Sequence, residues 1–322
     1  MQKILILTSL KRIFRSRKNR NNKRRAFVLV SVLMLGMLLI SCATAFAWFV
    51  RTQVRSVGRE RENLTNRSMA TVIINSVVGI MSDFASEAEY DSPTQRWYQP
   101  FVFPFEDLGI WTLKITPLDD KIPIRNLFLP DGNTMRHEFE EPFRNMLEKI
   151  GHRELELLIL DFLDRNTRAR VGSVERENFI NRGPFDISEL LILSQDLRPE
   201  VLYGDDSNLG IADYCTVFSE GKINLNVAPV HVMELMPGLD ERGLAERVAQ
   251  VREEEPIRNF NDVQSLPGAS PRTATLLTNL AGFKSRYFEV KIEALEDDGT
   301  GGTSFTIVFD RNTKQIVKWE ES

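Results

Sequence analysis

The chain has 322 residues, 42% apolar and 27% charged, with a net charge of −4, which supplies core for one large or two moderate domains and excludes a disordered protein. Residues 1–26 hold ten of the 41 Lys and Arg and no acid, leaving 31 bases against 45 acids, a balance of −14, for the rest. That acidic bulk argues against general nucleic-acid binding, which is largely electrostatic. Two cysteines, Cys42 and Cys215, exclude a disulfide scaffold or a thiolate metal cluster.

From Ala26 to Val50 run 25 residues without a formal charge. At about 1.5 Å per residue in a helix they exceed the roughly 30 Å hydrocarbon core of a bilayer. Lys23, Arg24 and Arg25 flank the near end and Trp48 the far end, so the positive-inside rule holds residues 1–25 in the cytoplasm and exports the rest. A cleaved secretory signal is the alternative, but its apolar core usually spans about 7–15 residues, so a retained span is favoured. No other segment is long and uncharged enough to span. Beyond it, Arg51–Ala88 contains no proline and only two glycines, Gly58 and Gly79. Ile73, Val77, Ile80, Met81, Phe84 and Ala88 recur at three- and four-residue steps, one helical face, and Pro93 closes the pattern. A helix from about Phe27 to Ala88 would be about 90 Å long, its first half lipid-soluble and its second half amphipathic.

Residues 91–108, rich in proline and aromatics, read as a packed connection. Ile110–Thr116 alternates with period two as a half-buried strand does, and Lys121–Ile124 is a short, proline-interrupted second strand. From Met135 to Gly282 the pattern is helical, with segments at 139–150, 153–165, 186–196, 228–236, 241–254 and 272–280. Strands return at Tyr287–Ala294, Ser304–Phe309 and Gln315–Trp319, separated by turns at 297–302 and 310–312. These elements predict an α+β fold. A long N-terminal transmembrane helix packs its distal half on an antiparallel sheet, and a large all-α domain is inserted in that sheet. The expected parts are a basic leader at 1–26, the span at 27–50, the amphipathic helix at 51–90, the sheet at 91–134 and 283–322, and the helical insert at 135–282.

Two similar hairpins lie in the insert: Leu235–Leu239 before a helix at 244–251, and Leu266–Ala269 before one at 273–280. They resemble tandem helix-hairpin-helix units, which in DNA-binding proteins cradle phosphates with backbone amides at a helix N-terminus. Here Asp240 and Glu241 would meet the phosphate, which favours a structural role over DNA binding. Carboxylates cluster at Asp119/Asp120, Asp161/Asp164, Asp205/Asp206/Asp213 and Asp297/Asp298; exported oxygen-rich clusters can hold Ca²⁺, although none has EF-hand spacing and solvated turns or helix caps are the default reading. The catalytic patterns fail. His137-Glu138-Phe139-Glu140-Glu141 lacks the second histidine of a zinc motif, and Gly299–Gly302 precedes a strand instead of a helix. No enzyme activity is expected.

Arg24-Arg25-Ala26-Phe27-Val28-Leu29-Val30 resembles the junction cut by prepilin peptidase, in which a basic leader ends in a small residue and the mature pilin begins with Phe. The resemblance puts the cut between Ala26 and Phe27 and a methyl group on the Phe27 amine. The residue before the cut is usually Gly and here is Ala26; the fifth mature position is usually Glu and here is Ser31. A carboxylate in hydrocarbon is costly without a cationic partner, and its omission is usual in the K-type minor pseudopilins of type II secretion. Their pilin helix and sheet carry a large helical insertion. Leu160-Asp161-Phe162-Leu163-Asp164, Gly183–Leu190 and Gly221-Lys222-Ile223-Asn224-Leu225-Asn226-Val227-Ala228-Pro229 also look like stretches of that family.

The resemblance implies a non-enzymatic subunit at the tip of the type II secretion pseudopilus, initiating assembly and supporting export. The implied partners are the I- and J-type minor pseudopilins, the major pseudopilin, the prepilin peptidase and the inner-membrane assembly platform. It places the N-terminus in the cytoplasm and the C-terminal domain in the periplasm. No cofactor is required; calcium is the candidate ion, at Asp161, Asp164, Asp205, Asp206 and Asp213. The rival is a membrane-anchored helix-hairpin-helix DNA-binding protein of the competence type. Replacing Ala26 with lysine should abolish the trimming, leaving the chain at full length on a gel; a shortened product would contradict the assignment.

Overall fold

The computed structural model describes residues 2–87, 89–105, 109–193, 195–240, 243–295 and 302–322, of which 2–27, 59, 62, 84–87 and 295 by backbone alone. The chain divides into two units, residues 1–67 and 68–322. Helix α1 (Gln2–Glu87) provides all described residues of the first unit and opens the second. No proline falls within it, so its backbone ladder is unbroken.

After α1 come strands β1 (Phe101–Phe105) and β2 (Gly109–Pro117). A long insert follows, containing β3 (Ile122–Pro123), α2 (His137–Lys149), α3 (Glu156–Leu163), α4 (Pro199–Tyr203), α5 (Ile211–Tyr214), β4 (Cys215–Thr216), β5 (Ile223–Asn224), α6 (Val230–Met233), α7 (Leu244–Glu254), α8 (Phe260–Gln264), α9 (Thr273–Leu277) and β6 (Ala281–Gly282). Strands β7 (Tyr287–Leu295), β8 (Gly302–Asp310) and β9 (Gln315–Glu321) close the chain. The main sheet has the order β1-β2-β7-β8-β9 and is antiparallel throughout. Strand β2 pairs directly with β7, Leu113 opposite Ile292 and Ile115 opposite Val290, so the insert leaves and re-enters the sheet at neighbouring strands.

Period-two alternation sends Trp111, Leu113 and Ile115 of β2, Phe288, Val290 and Ile292 of β7, and Phe305, Ile307 and Phe309 of β8 to one face. Ala70, Ile74, Val77, Val78 and Met81 of α1 are buried in the same core. Each fully buried large side chain contributes roughly 1.5–3 kcal/mol. A second core, formed by the insert, gathers Phe139, Phe143 and Met146 of α2 with Ile159 and Phe162 of α3 and Met233 and Met236 around α6.

Several expectations are corrected. Phe101–Phe105, read as a connection, is the edge strand β1; Pro104 is tolerated because an edge position need not donate on its outer side. Ile122–Pro123 does not extend the sheet but pairs in parallel with Cys215–Thr216. Ile122, Ile124 and Leu127 belong to the insert's core, so the insert begins well before residue 135. The 186–196 segment is a 3-10 helix over Ile187–Leu193. The helices near 228–236 and 272–280 shrink to α6 and α9, while α4, α5 and α8 went unnoticed. On α1 the buried stripe runs through Ala70, Ile74 and Val78, and Ile80 is exposed. The side chains of Phe84 and Ala88 and the turn at 296–301 lie outside the described residues.

A buried polar seam ties the elements together where the insert leaves the sheet. Asp119, just past β2, accepts hydrogen bonds from the Glu220 (2.6 Å), Arg286 (2.7 Å) and Tyr287 (3.0 Å) amides. The Arg311 guanidinium, at the end of β8, donates to both oxygens of Asp91 (2.7 and 2.9 Å), and Asp91 also accepts from the Ser285 amide (2.7 Å). Asn224 donates from its side chain to Ser285 Oγ (3.0 Å) and to the Asp91 carbonyl (3.3 Å).

Removing one member of a buried ion pair typically costs about 3–5 kcal/mol. Asp91→Ala should therefore lower the unfolding free energy of the detergent-solubilised chain, measured by urea titration, by that amount, and Asp91→Leu with Arg311→Met should recover part of it; an unchanged unfolding free energy for Asp91→Ala would contradict the role of the seam. A second link, Lys318 of β9 to Asp186 at the start of the 3-10 helix (2.8 Å), has a pH signature. Burial opposes ionisation of Asp186, but Lys318 and Ser188 outweigh it and hold the carboxyl at about 2. The link therefore stabilises the fold fully above the ordinary carboxylate value of 3.8 and is lost as pH falls towards 2. Discounted for exposure it contributes about 1 kcal/mol, so Lys318→Met should flatten the acid limb of a pH–stability profile by that much.

Candidate functional site: an apolar span, an acidic pocket and two hairpins

The first candidate is α1 itself. Leu29, Val32, Met34, Leu38, Ile40 and Phe46 are all more than half exposed, far beyond the apolar patch a water-soluble surface tolerates. Thr44 returns its hydroxyl proton to the Ile40 carbonyl (3.0 Å) and Thr52 to the Trp48 carbonyl (2.9 Å), so these polar groups are satisfied inside the helix, as a lipid phase requires. Among the described residues this is the one helix long and apolar enough to cross a membrane. Ser31 is exposed on it, while the side chains of Ala26 and Phe27 lie outside the described residues.

Farther along α1, within the second unit, the sheet covers only part of the apolar face. Val72, Ile73, Ser76 and Ile80, with Phe101 and Phe103 of β1, line an apolar groove of about 340 Å³. The sequence pattern showed a single stripe because helical periodicity does not distinguish the flank that meets a sheet from the flank left beside it.

The acidic residues fare differently from one another. Asp205 spends an oxygen on the Ser207 and Asn208 amides (2.8 and 2.9 Å) of its own turn; the Ser207 amide foremost holds its carboxyl below the ordinary value. Asp213 accepts from the Gly210 amide (2.8 Å) at the start of α5, and Asp206 is exposed. Asp205 and Asp213 act as turn and cap groups. Asp161 and Asp164, one helical turn apart at the end of α3, are both fully buried and share Arg170, whose Nη1 lies 2.6 Å from Asp161 Oδ1 and 2.5 Å from Asp164 Oδ2.

The loop after α3 adds what spacing did not reveal. Glu175, eleven residues beyond Asp164, interacts electrostatically with both aspartates, and burial foremost raises its carboxyl. Asn181, in left-handed backbone with φ of 48°, stands beside it. Asn181 acts on Glu175 through its side chain, and the Asn166 amide on Asp164, each pulling the carboxyl back down. Burial likewise raises Asp164, with Arg170 pulling the other way and Asp161 adding to the rise. Oxygen-rich pockets can suit a hard cation, but among the described residues no three His, Cys, Asp or Glu side chains are arranged to hold a metal ion. Arg170 stands between the two aspartates.

In the hairpins, Gly238 (φ 93°) and Gly268 (φ 97°) adopt the left-handed backbone their turns need. Among the described residues, three amides at these turns are already engaged. Gly238 N donates to Asp240 Oδ1 (2.9 Å), Ser270 N to Thr273 Oγ1 (2.9 Å) and Arg272 N to Ser270 Oγ (3.3 Å). Arg247 of α7 donates to the Pro267 carbonyl, joining one hairpin to the other. Their geometry is that of internal packing units.

No family model and no curated protein matches this sequence. Among solved structures, a chain of the crystal structure of the GspK-GspI-GspJ complex from the type 2 secretion system of enterotoxigenic Escherichia coli is similar. The match has a TM-score of 0.56 and 13% identity and covers 84% of this chain and 99% of that one. The fold is therefore that of a secretion pseudopilin component: a long N-terminal helix, an antiparallel sheet and a large set of further helices.

Proposed function

We infer that the chain is a K-type minor pseudopilin of a type II secretion system, placed at the tip of a periplasmic pseudopilus and acting there without chemistry of its own. The observation that carries this reading is the joint presence of two things. One is an uncovered apolar helix; the other is a sheet, roofed by that helix's distal turns, whose neighbouring strands β2 and β7 are separated in sequence by a large helical insert. The fold shared with a chain of the GspK-GspI-GspJ complex supports it.

On this reading prepilin peptidase cuts between Ala26 and Phe27, and the span from Phe27 to Val50 first stores the subunit in the inner membrane and later joins the filament's helical core. Ser31, in place of the usual glutamate, removes the need for a neighbouring amine below it in the stack and suits an end position. The groove beside α1 and β1 offers I- and J-type minor pseudopilins an apolar surface, and the insert caps the end by its bulk. The major pseudopilin and the assembly platform complete the partner set. Nothing in this role is routed through calcium, because Arg170 fills the space between Asp161 and Asp164. The engaged amides of both hairpins weigh against the DNA-binding rival.

The test is to purify the chain from native membranes. We expect a mature N-terminus at a methylated Phe27, together with co-purifying I- and J-type subunits. A chain that keeps residues 1–26, or that binds duplex DNA with the steep salt dependence of phosphate contacts, would overturn the reading.

A further inference from the structure

Within Gly183–Leu190 of the insert, Phe185 leaves its ring in solvent, 57% exposed, yet the residue is held firmly. The Phe185 and Asp186 amides donate to Glu189 Oε1 (2.9 and 3.3 Å). Glu189 also pairs with Arg182 (2.9 Å), which donates to the Gly183 carbonyl (3.0 Å). The Arg182 guanidinium carbon lies over the Phe185 ring, 4.2 Å from its centre.

A second guanidinium reaches the same ring from a distant part of the chain. Arg125, in the 3-10 turn Ile124–Asn126, places its guanidinium carbon 5.0 Å from the ring centre. Glycine at 183 permits this approach, since a Cβ there would fall 2.7 Å from Arg125 Cγ and 2.8 Å from the Arg125 carbonyl oxygen. The two cations therefore stand within one Debye length of each other, about 10 Å at 0.1 M salt. Glu189 compensates Arg182, and Asp186 is engaged by Lys318 (2.8 Å) and Ser188 (2.7 Å). Exposed Arg125 has no ion pair and no side-chain hydrogen bond among the described residues. An aromatic ring and an arginine fixed before contact lose little freedom on association, and these residue types carry much of the energy of protein interfaces.

We propose that Phe185 with Arg125 and Arg182 is a docking site for an acidic segment of another polypeptide, one carboxylate lying along the free edge of Arg125 and a neighbouring aromatic side chain resting on the Phe185 ring. The planar guanidinium matches a carboxylate bidentately. A polyphosphate chain or an anionic lipid surface fits less well. Asp186 and Glu189 flank the ring, and residues 27–322 carry a net charge of −14, so a dense array of negative charge is repelled where a single carboxylate is admitted. The site lies apart from the groove beside α1 and does not depend on the pseudopilin reading.

The experiment titrates the full chain, in nonionic detergent, against a fluorescent peptide of alternating glutamate and tyrosine, read by anisotropy. Arg125→Glu and Phe185→Ala should each weaken binding about tenfold, with urea unfolding curves showing that both variants fold; because Phe185→Ala removes only an exposed ring, it keeps the test open should Arg125→Glu fail to fold. The same peptide with glutamine for glutamate should bind markedly more weakly. Arg272→Glu makes the same change of charge at an exposed position in the second hairpin and should leave the affinity unaltered. Equal affinity for the two peptides, no binding by either, or an equal loss in Arg272→Glu would overturn the site. So would binding of phosphatidylglycerol vesicles through Arg125 and Phe185 in place of the peptide. None of these results bears on the processed N-terminus, by which the pseudopilin reading is tested.

Discussion

The buried seam of Asp91, Asp119, Asn224 and Arg311 is the constraint on which the second unit depends. A chain that leaves a sheet after β2 and returns only at β7 must bring the two strands back into register over a long excursion, and loop closure alone disfavours this. The apolar alternation of β2 and β7 fixes which registers bury the core face. Asp119 pins the joint, because one carboxylate accepts the Arg286 and Tyr287 amides on the incoming strand and the Glu220 amide of the insert. The Asp91–Arg311 pair does the same for the end of α1 and the turn after β8. Buried ion pairs are poor sources of net stability and better sources of uniqueness, and a fold with two cores and one joint needs uniqueness at the joint.

Helix α1 meets two environments along one unbroken backbone. Its turns from Val28 to Thr52 expose aliphatic side chains and return threonine hydroxyls to their own carbonyls. Its last turns bury one stripe on the sheet and leave another along β1. Nothing in the backbone marks the change; the side chains alone set the environment each turn requires.

By hydrogen-bond accounting the acidic and glycine-rich motifs are alike. Asp205 and Asp213 have donors enough in their own turns, and the hairpin amides have acceptors enough in Asp240, Ser270 and Thr273. At the end of α3, Asp161 and Asp164 are spent on Arg170 in the same way.

The sequence by itself determined the elements whose signal is local. The apolar span, the amphipathic continuation, strands β2, β7, β8 and β9 and the glycine turns of the hairpins each follow from a period or a residue that acts within a few positions. Asp161 and Asp164 were legible as a pair because an Asp-x-x-Asp spacing in a helix puts both carboxylates on one face. What lay beyond it depended on partners distant in the chain. Strand β1 gains its identity only by pairing, since Phe-Val-Phe-Pro-Phe carries no alternation of polarity. Ile122–Leu127 joined the insert because Cys215 and Thr216 returned beside it. Glu175, Asn181 and Arg170 became one pocket because a loop in left-handed backbone at Asn181 folds back on α3. Tertiary structure decided these because burial and hydrogen-bond partnership are properties of a packed environment, which no short stretch of sequence contains.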